Sequence, residues 1–200
     1  EIRVNLVGKI QLKNILMAVI AASKSNLDLK KIFSVIPRLS SVEGRFEKIG
    51  KIKNKSLVFL DYAHTPDALQ TCILNIREQF ADKHISVLFG CGGDRDKGKR
   101  SKMGKIADKY ADKIYLTDDN PRHERPKKIR DEIKRGIKKN QIVEISNRKE
   151  AIVKAISNLN TGNVLIVAGK GHEKIQQIRN RKVFLSDRQI ILNSIKKKNF

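Results

Sequence analysis

The chain has 200 residues, 40% of them hydrophobic, enough for one full domain with a buried core and a smaller piece besides. Lys and Arg number 43 against 21 Asp and Glu, a formal net charge of +22, yet the basic residues are spread through every segment and only the closing IKKKNF resembles a tail. With 5% aromatic residues and no tryptophan, a stacking platform for single strands is poorly supplied, so the lysines read as a solvated surface and no nucleic-acid partner is expected.

Cys72 and Cys91 have no CxxC partner. That gives neither a disulfide framework nor a zinc site, fits a reducing compartment, and leaves both as small core residues. There is no secretory h-region near the start, and the apolar run ILMAVIAA at 15–22 is too short to span a bilayer. A cytoplasmic protein without membrane attachment is expected.

Apolar residues at helical spacing predict one helix over 8–24 and a second over 27–36, stopped by Pro37. The turn-rich, charged stretch RLSSVEGRFEKIGKIKNK reads as a linker with a short hairpin. From Ser56 onward, apolar runs alternate with amphipathic stretches: SLVFLDYA, HISVLFG, KIYLTDD, IVEIS and NVLIVAG as strands, with a helix after each of the first four, and VFLSD as a last strand before RQIILNSIKK. This rhythm predicts βαβ units: a Rossmann-like α/β domain, its mostly parallel sheet covered by helices on both faces.

In such sheets ligands sit beyond the carboxyl ends of the strands, which directs attention to DYAHTPD, GCGGDRDKGKR, DDNPRHERP, AGKGHE and SDR. Within DYAHTPD, Thr65, Pro66 and Asp67 make a good helix start, leaving Asp61, Tyr62 and His64 between strand and helix. Gly93, Gly98 and Lys99 satisfy G-x-x-x-x-G-K, but Arg100 stands where a phosphate-binding loop needs Ser or Thr for magnesium, and Asp94 and Asp96 would repel polyphosphate. The competing reading has Gly92 and Gly93 allowing a tight turn that presents Arg95 to the crevice. AGKGHE is too short for a dinucleotide fingerprint, but its backbone can approach a ligand closely, with Glu173 just beyond.

In order along the chain, VGKIQLKNILMA, EGRFE, DYAHTPDAL, FGCGGDRDKGKR, TDDNPR, AGKGHE and FLSDR resemble the C-terminal portion of the Mur ligases, the ATP-dependent amino-acid-adding enzymes of peptidoglycan precursor synthesis. The resemblance covers essentially the whole chain. DNPR, residues 119–122, is most similar to family members that add meso-diaminopimelate to UDP-N-acetylmuramoyl-L-alanyl-D-glutamate. Diaminopimelate differs from lysine by a carboxylate at its far end, and a planar guanidinium suits a carboxylate through two parallel hydrogen bonds. Arg122 is the candidate for that grip, with Pro121 stiffening the loop and Asn120 offering both a donor and an acceptor. Lysine-adding members have a different residue where Arg122 stands. The bland alternative is a surface arginine pairing with Glu124 or Asp119, worth little.

The resemblance further implies that Asp119 and Arg95 join the diaminopimelate site and that Gly169 and Glu173 approach it from AGKGHE, Glu173 pairing with an ammonium. On the nucleotide side it implies Asn14, Arg45, Asp61, Tyr62 and His64, although the family usually has asparagine where this chain has Gln11. It implies ATP and Mg2+ as cofactors, with the catalytic groups, the phosphate-binding loop and the magnesium ligands in a central domain whose motifs are not in these 200 residues, and no metal site in this chain. Residues 1–42 are then expected to be a helical remnant and linker of that central ATPase domain, and 43–200 the C-terminal domain. The expected partners are meso-diaminopimelate, ATP, the UDP-MurNAc-dipeptide and the missing N-terminal and central domains, in a monomeric enzyme. The alternative, a basic nucleic-acid-binding or nucleotide-binding Rossmann module without ligase activity, suffers because GCGGDRD is not G-x-G-x-x-G.

Overall fold

The computed structural model describes residues 1–139 and 141–199. It divides into two compact units, Glu1–Val42 and Glu43–Phe200. In the first, helix α1 (Lys9–Lys24) begins after Gly8, and a turn through Asn26 leads to α2 (Leu29–Val35). Asp28 caps α2, its carboxylate accepting from Lys31 N at 3.0 Å, and a 3-10 turn follows at Ile36–Arg38, where Pro37 denies the helix a donor. Leu12, Leu16 and Ile20 form an exposed apolar row on α1.

The second unit holds strands β1 (Glu47–Lys51), β2 (Leu57–Asp61), β3 (Ile85–Phe89), β4 (Lys113–Leu116), β5 (Ile142–Glu144) and β6 (Val164–Ala168) in one sheet of order β1-β2-β6-β3-β4-β5. All neighbours are parallel except β1, which runs antiparallel to β2 along the edge. Helices α3 (Pro66–Gln79), α4 (Gly98–Tyr110) and α5 (Pro126–Lys134) lie side by side, as do α6 (Arg148–Ser157) and α7 (Asp187–Asn199). Ile152, Ile156 and Ile191 from the second pair pack on Val58, Leu60, Leu88, Leu165 and Val167 of the sheet. The central strands β3 and β6 are buried along their whole length, which is why they read as unbroken apolar runs rather than alternating ones. The mostly parallel, helix-covered sheet expected from the sequence is present.

Two expectations need correction. The segment 38–55 is not a separate linker hairpin, because its residues 47–51 supply the antiparallel edge strand of the main sheet. VFLSD does not extend that sheet either. Arg181–Phe184 is strand β8 of a two-stranded hairpin with β7 (Ile175–Ile178), turned by Arg179 with φ 51. Residues 169–174 between β6 and β7 are too few for a crossover to a parallel neighbour, and β8 takes β7 as its antiparallel partner across a two-residue turn. Among the described residues no helix is long and apolar enough to cross a membrane.

Candidate functional site

The chain passes from β2 through α3 to β3, and β6 later inserts between those two strands. That reversal of strand order opens a crevice at the carboxyl ends, where the loops after β2, β6, β3 and β4 converge. The result is a cleft of about 380 Å³ in which the structure gathers Arg95, Asp119, Asn120, Arg122, Gly169 and Glu173, with Tyr62 and His64 on its rim.

The loop after β4 is held from both sides. Arg122 adopts φ 49; its N–H donates to Gln177 O at 3.0 Å and its carbonyl accepts from Arg179 N at 2.7 Å, so the β7–β8 hairpin fixes the backbone. Its Nη1 donates to Gly93 O at 2.7 Å, the side chain's only partner among the described residues, which leaves the guanidinium's other N–H groups for a ligand. Neither Glu124 nor Asp119 takes it, so the surface-pair alternative is not what the side chain does. Pro121 is buried behind the loop, and its carbonyl would lie 1.9 Å from a Cβ on Gly93: only glycine lets the two loops meet. Asp119 Oδ1 accepts from Asn120 N at 2.7 Å.

Asn120 uses both its donor and its acceptor, but on the protein. Its Oδ1 accepts from Lys170 Nζ (3.1 Å) and Gln177 N (2.9 Å), and its Nδ2 donates to Glu173 Oε2 at 3.1 Å. Glu173 Oε2 also accepts from Lys170 Nζ at 2.9 Å, while among the described residues Oε1 meets only the Tyr62 hydroxyl, at 3.3 Å. Burial pushes this carboxyl up, but Lys170, Asn120 and Tyr62 outweigh it and leave it below its ordinary range. Glu173 was expected to pair with a ligand's ammonium, and here it already holds one from Lys170, whose side chain is fully buried. Sequence reasoning passed over Lys170, because a lysine between two glycines reads as exposed. The signal was faint, a Glu three residues on. Gly169, at φ 110, brings the backbone so close to Asp119 that a Cβ would stand 3.0 Å from Oδ2.

On the rim, Arg45 lies over the Tyr62 ring at 4.5 Å, and the His64 ring meets Tyr62 edge-on at 4.7 Å. His64 Nδ1 lies 3.0 Å from Tyr62 O, and Lys99 Nζ donates to His64 O at 2.8 Å. Burial raises the Tyr62 phenol's pKa, and Glu173 adds to that. Asp61 does not line the cleft. Its oxygens accept from Phe46 N (2.6 Å) and Ala63 N (2.7 Å), tying the EGRFE loop to β2; burial raises its pKa in spite of those bonds. Asn14 sits on α1 in the first unit, exposed, its amide donating to Gln11 Oε1 at 3.5 Å.

The loop after β3 brings Arg95, Asp96 and Lys99 to the cleft, Arg95 exposed, while several of its charges also hold the scaffold. Asp96 Oδ1 accepts from Gly98 N at 2.7 Å at the start of α4, and Asp94 Oδ2 accepts from His123 N at 3.2 Å. Arg100, fully buried, donates to Glu124 Oε1 (2.8 Å) and Glu132 Oε2 (2.7 Å). The position that would carry a magnesium-binding hydroxyl in a phosphate-binding loop is thus a structural cation. Cys91 and Cys72 are buried, and burial pushes the Cys91 thiol up to about 12.

The doubly wound sheet with its ligand crevice at the switch point defines the class, and residues 44–171 match the family model described as Mur ligase, glutamate ligase domain. The chain belongs to that family. It is 43% identical, over 94% of its length, to the UDP-N-acetylmuramoyl-L-alanyl-D-glutamate--2,6-diaminopimelate ligase of Rickettsia felis, covering 35% of that protein. It is 47% identical to the Rhizobium meliloti protein of the same name over 89% of its own length, covering 36% of the relative. A solved structure of a ligase with this name superposes with a TM-score of 0.78 at 33% identity, over all of this chain and 41% of that one. The UDP-N-acetylmuramate-alanine ligase of Thermotoga maritima shares the fold at a TM-score of 0.64 and 19% identity, over 98% of this chain and 38% of that one. The chain thus spans little more than a third of the curated relatives it matches.

Proposed function

We propose that this chain is the amino-acid-recognition part of an ATP-dependent ligase that adds meso-diaminopimelate to UDP-N-acetylmuramoyl-L-alanyl-D-glutamate. One observation carries the reading: a single cleft holds two guanidiniums, Arg95 and Arg122, together with the carboxylate of Glu173. A diamino diacid presents the complementary charges. Arg122, anchored through Nη1 on Gly93 O, keeps its remaining N–H groups for the distal carboxylate, and Glu173 Oε1 faces an ammonium. Lysine would leave Arg122 unpaired, at a penalty of as much as about ten-thousandfold.

ATP, when bound, would supply activation of the glutamate carboxylate. The residues of this chain suited to it are Arg45, Tyr62 and His64, where a guanidinium laid on an aromatic ring beside an imidazole fits a phosphate next to a planar base. The role of this chain is then to bind the incoming amino acid and fix its direction. Mg2+, the central-domain origin of residues 1–42, a monomeric state and a cytoplasmic location belong to the same reading.

In the ligase that contains this chain, Arg122→Ala should weaken use of diaminopimelate far more than use of ATP. Equal losses for both substrates would remove Arg122 from this role. The chain alone should show no ATP-dependent ligation, and robust turnover would defeat the recognition-part reading.

A further inference from the structure

Lys170 is a buried charge, bonded to the cleft residues Asn120 and Glu173, that the recognition reading leaves unused. It is fully buried, on the turn between β6 and the β7–β8 hairpin. An ammonium carries three N–H donors, and taking it out of water is costly unless each is met. Here all three are met: Asn120 Oδ1 at 3.1 Å, Glu173 Oε2 at 2.9 Å and Ile175 O at 2.7 Å. One nitrogen thereby joins the loop after β4, the turn after β6 and the first residue of β7.

This geometry decides which way two other side chains face. With Lys170 Nζ and Gln177 N both donating to Asn120 Oδ1, the amide has one orientation, and its NH2 must face Glu173 Oε2. Oε2 is then doubly occupied, so Oε1 is the oxygen left toward the cleft. We propose that Lys170 is a positioning residue for the amino-acid site: a built-in counter-cation that keeps Glu173 ionised and turned, so that Oε1 alone receives the ligand's ammonium. This rests on the recognition reading for the ligand, but the action of Lys170 on Glu173 can be tested without one.

The groups facing Glu173 are Lys170 from its own turn, Tyr62 from the loop after β2, Asn120 from the loop after β4, and the buried Arg148 of α6, which also feels Asp119. Arg95, Arg122, Lys99, Asp96, Asp119 and His64 stand around the same cleft. Burial alone would raise the Glu173 carboxyl; the bonds from Lys170, Asn120 and Tyr62 bring it down. Without Lys170, burial should win.

The experiment is an NMR titration of the Glu173 side-chain carboxyl in this chain and in Lys170→Met, paired with calorimetric binding of meso-diaminopimelate near pH 5 and pH 8. The original chain should titrate below the ordinary carboxylate range, and Lys170→Met should raise the value by about one unit or more. Affinity should fall by about two- to fourfold at pH 5 and clearly less at pH 8, where Glu173 ionises in either protein. Adding Lys170→Met to Glu173→Gln should cost little beyond Glu173→Gln alone. An unshifted Glu173 titration, or an affinity loss equal at both pH values and additive with Glu173→Gln, would reduce Lys170 to a packing residue and overturn the proposal. If Lys170→Met does not fold, Lys170→Gln keeps two N–H donors without the charge and makes the same comparison, and a Glu173 titrating at or above the ordinary range in the original chain refutes the proposal outright. Failure of the original chain to bind meso-diaminopimelate would instead sink the recognition reading, with the Glu173 titration still deciding the role of Lys170.

Discussion

The loops after β3 and after β6 are both rich in glycine and lysine, yet their charges go to different ends. In GCGGDRDKGKR, Asp96 joins the start of α4, Asp94 holds His123, Arg100 is buried between Glu124 and Glu132, and Arg95 is left to the cleft. In AGKGHE the cation is buried instead, and the acid beside it keeps one oxygen toward the cleft. The contrast teaches that a glycine-lysine loop is defined by the acceptors its neighbours bring. The β4–α5 segment brings Glu124 to the first loop and Asn120 to the second.

The largest effect should come from the cation beneath the second loop. Arg148 and Asp187 are a fully buried pair, and Arg148 Nη2 also donates to Ala168 O at 2.9 Å, the last residue of β6. Arg148→Met strands a buried carboxylate and should cost about 3–5 kcal/mol in denaturant unfolding. A loss under about 1 kcal/mol would show that the ground under AGKGHE does not depend on this pair. Arg100→Met, under the first loop, should cost somewhat less, because Glu124 and Glu132 keep 14% and 15% side-chain exposure and can reach water. If Arg100→Met cost more than Arg148→Met, the ranking of the two loops would be reversed.

Acid should separate the loops again. Arg100 holds the Glu124 carboxyl at about 2, against an ordinary 4.5. A carboxyl lowered in the fold stabilises above its unfolded value and loses that contribution as pH falls from about 4.5 through about 2. Unfolding curves over that window should lose less stability in Glu124→Gln than in the unaltered chain, and equal slopes would contradict the assignment. The smallest expected effect lies outside both loops. Thr65 Oγ1 accepts from Ala68 N at 3.3 Å at the start of α3, so Thr65→Ala should cost about 1 kcal/mol without changing ligand preference.

Much of this was legible in the sequence. Strand and helix rhythm from Ser56, the Thr65–Pro66–Asp67 helix start and the gathering of polar loops at strand ends all follow from local pattern. What was missed depends on distant partners. Lys170 is buried because Asn120 and Ile175 supply acceptors, and nothing near residue 170 announces Asn120. Arg100 left a local trace, since it shares a buried stripe on α4 with Met103 and Ala107, but a charge on such a stripe looks like an interruption until Glu124 and Glu132 arrive. Asp61 reads as a cleft residue by position, but the EGRFE backbone claims it first. VFLSD reads as a sheet strand because it has strand composition, and composition does not say which partner a strand takes; its partner β7 left no such signal.

The most direct test is calorimetric titration of meso-diaminopimelate and of lysine into this chain and its Arg122→Ala variant. The account predicts that the unaltered chain prefers meso-diaminopimelate by about a hundredfold or more and that the variant loses most of that preference. Equal affinity for the two amino acids in the unaltered chain, or a preference that survives the loss of Arg122, would contradict it.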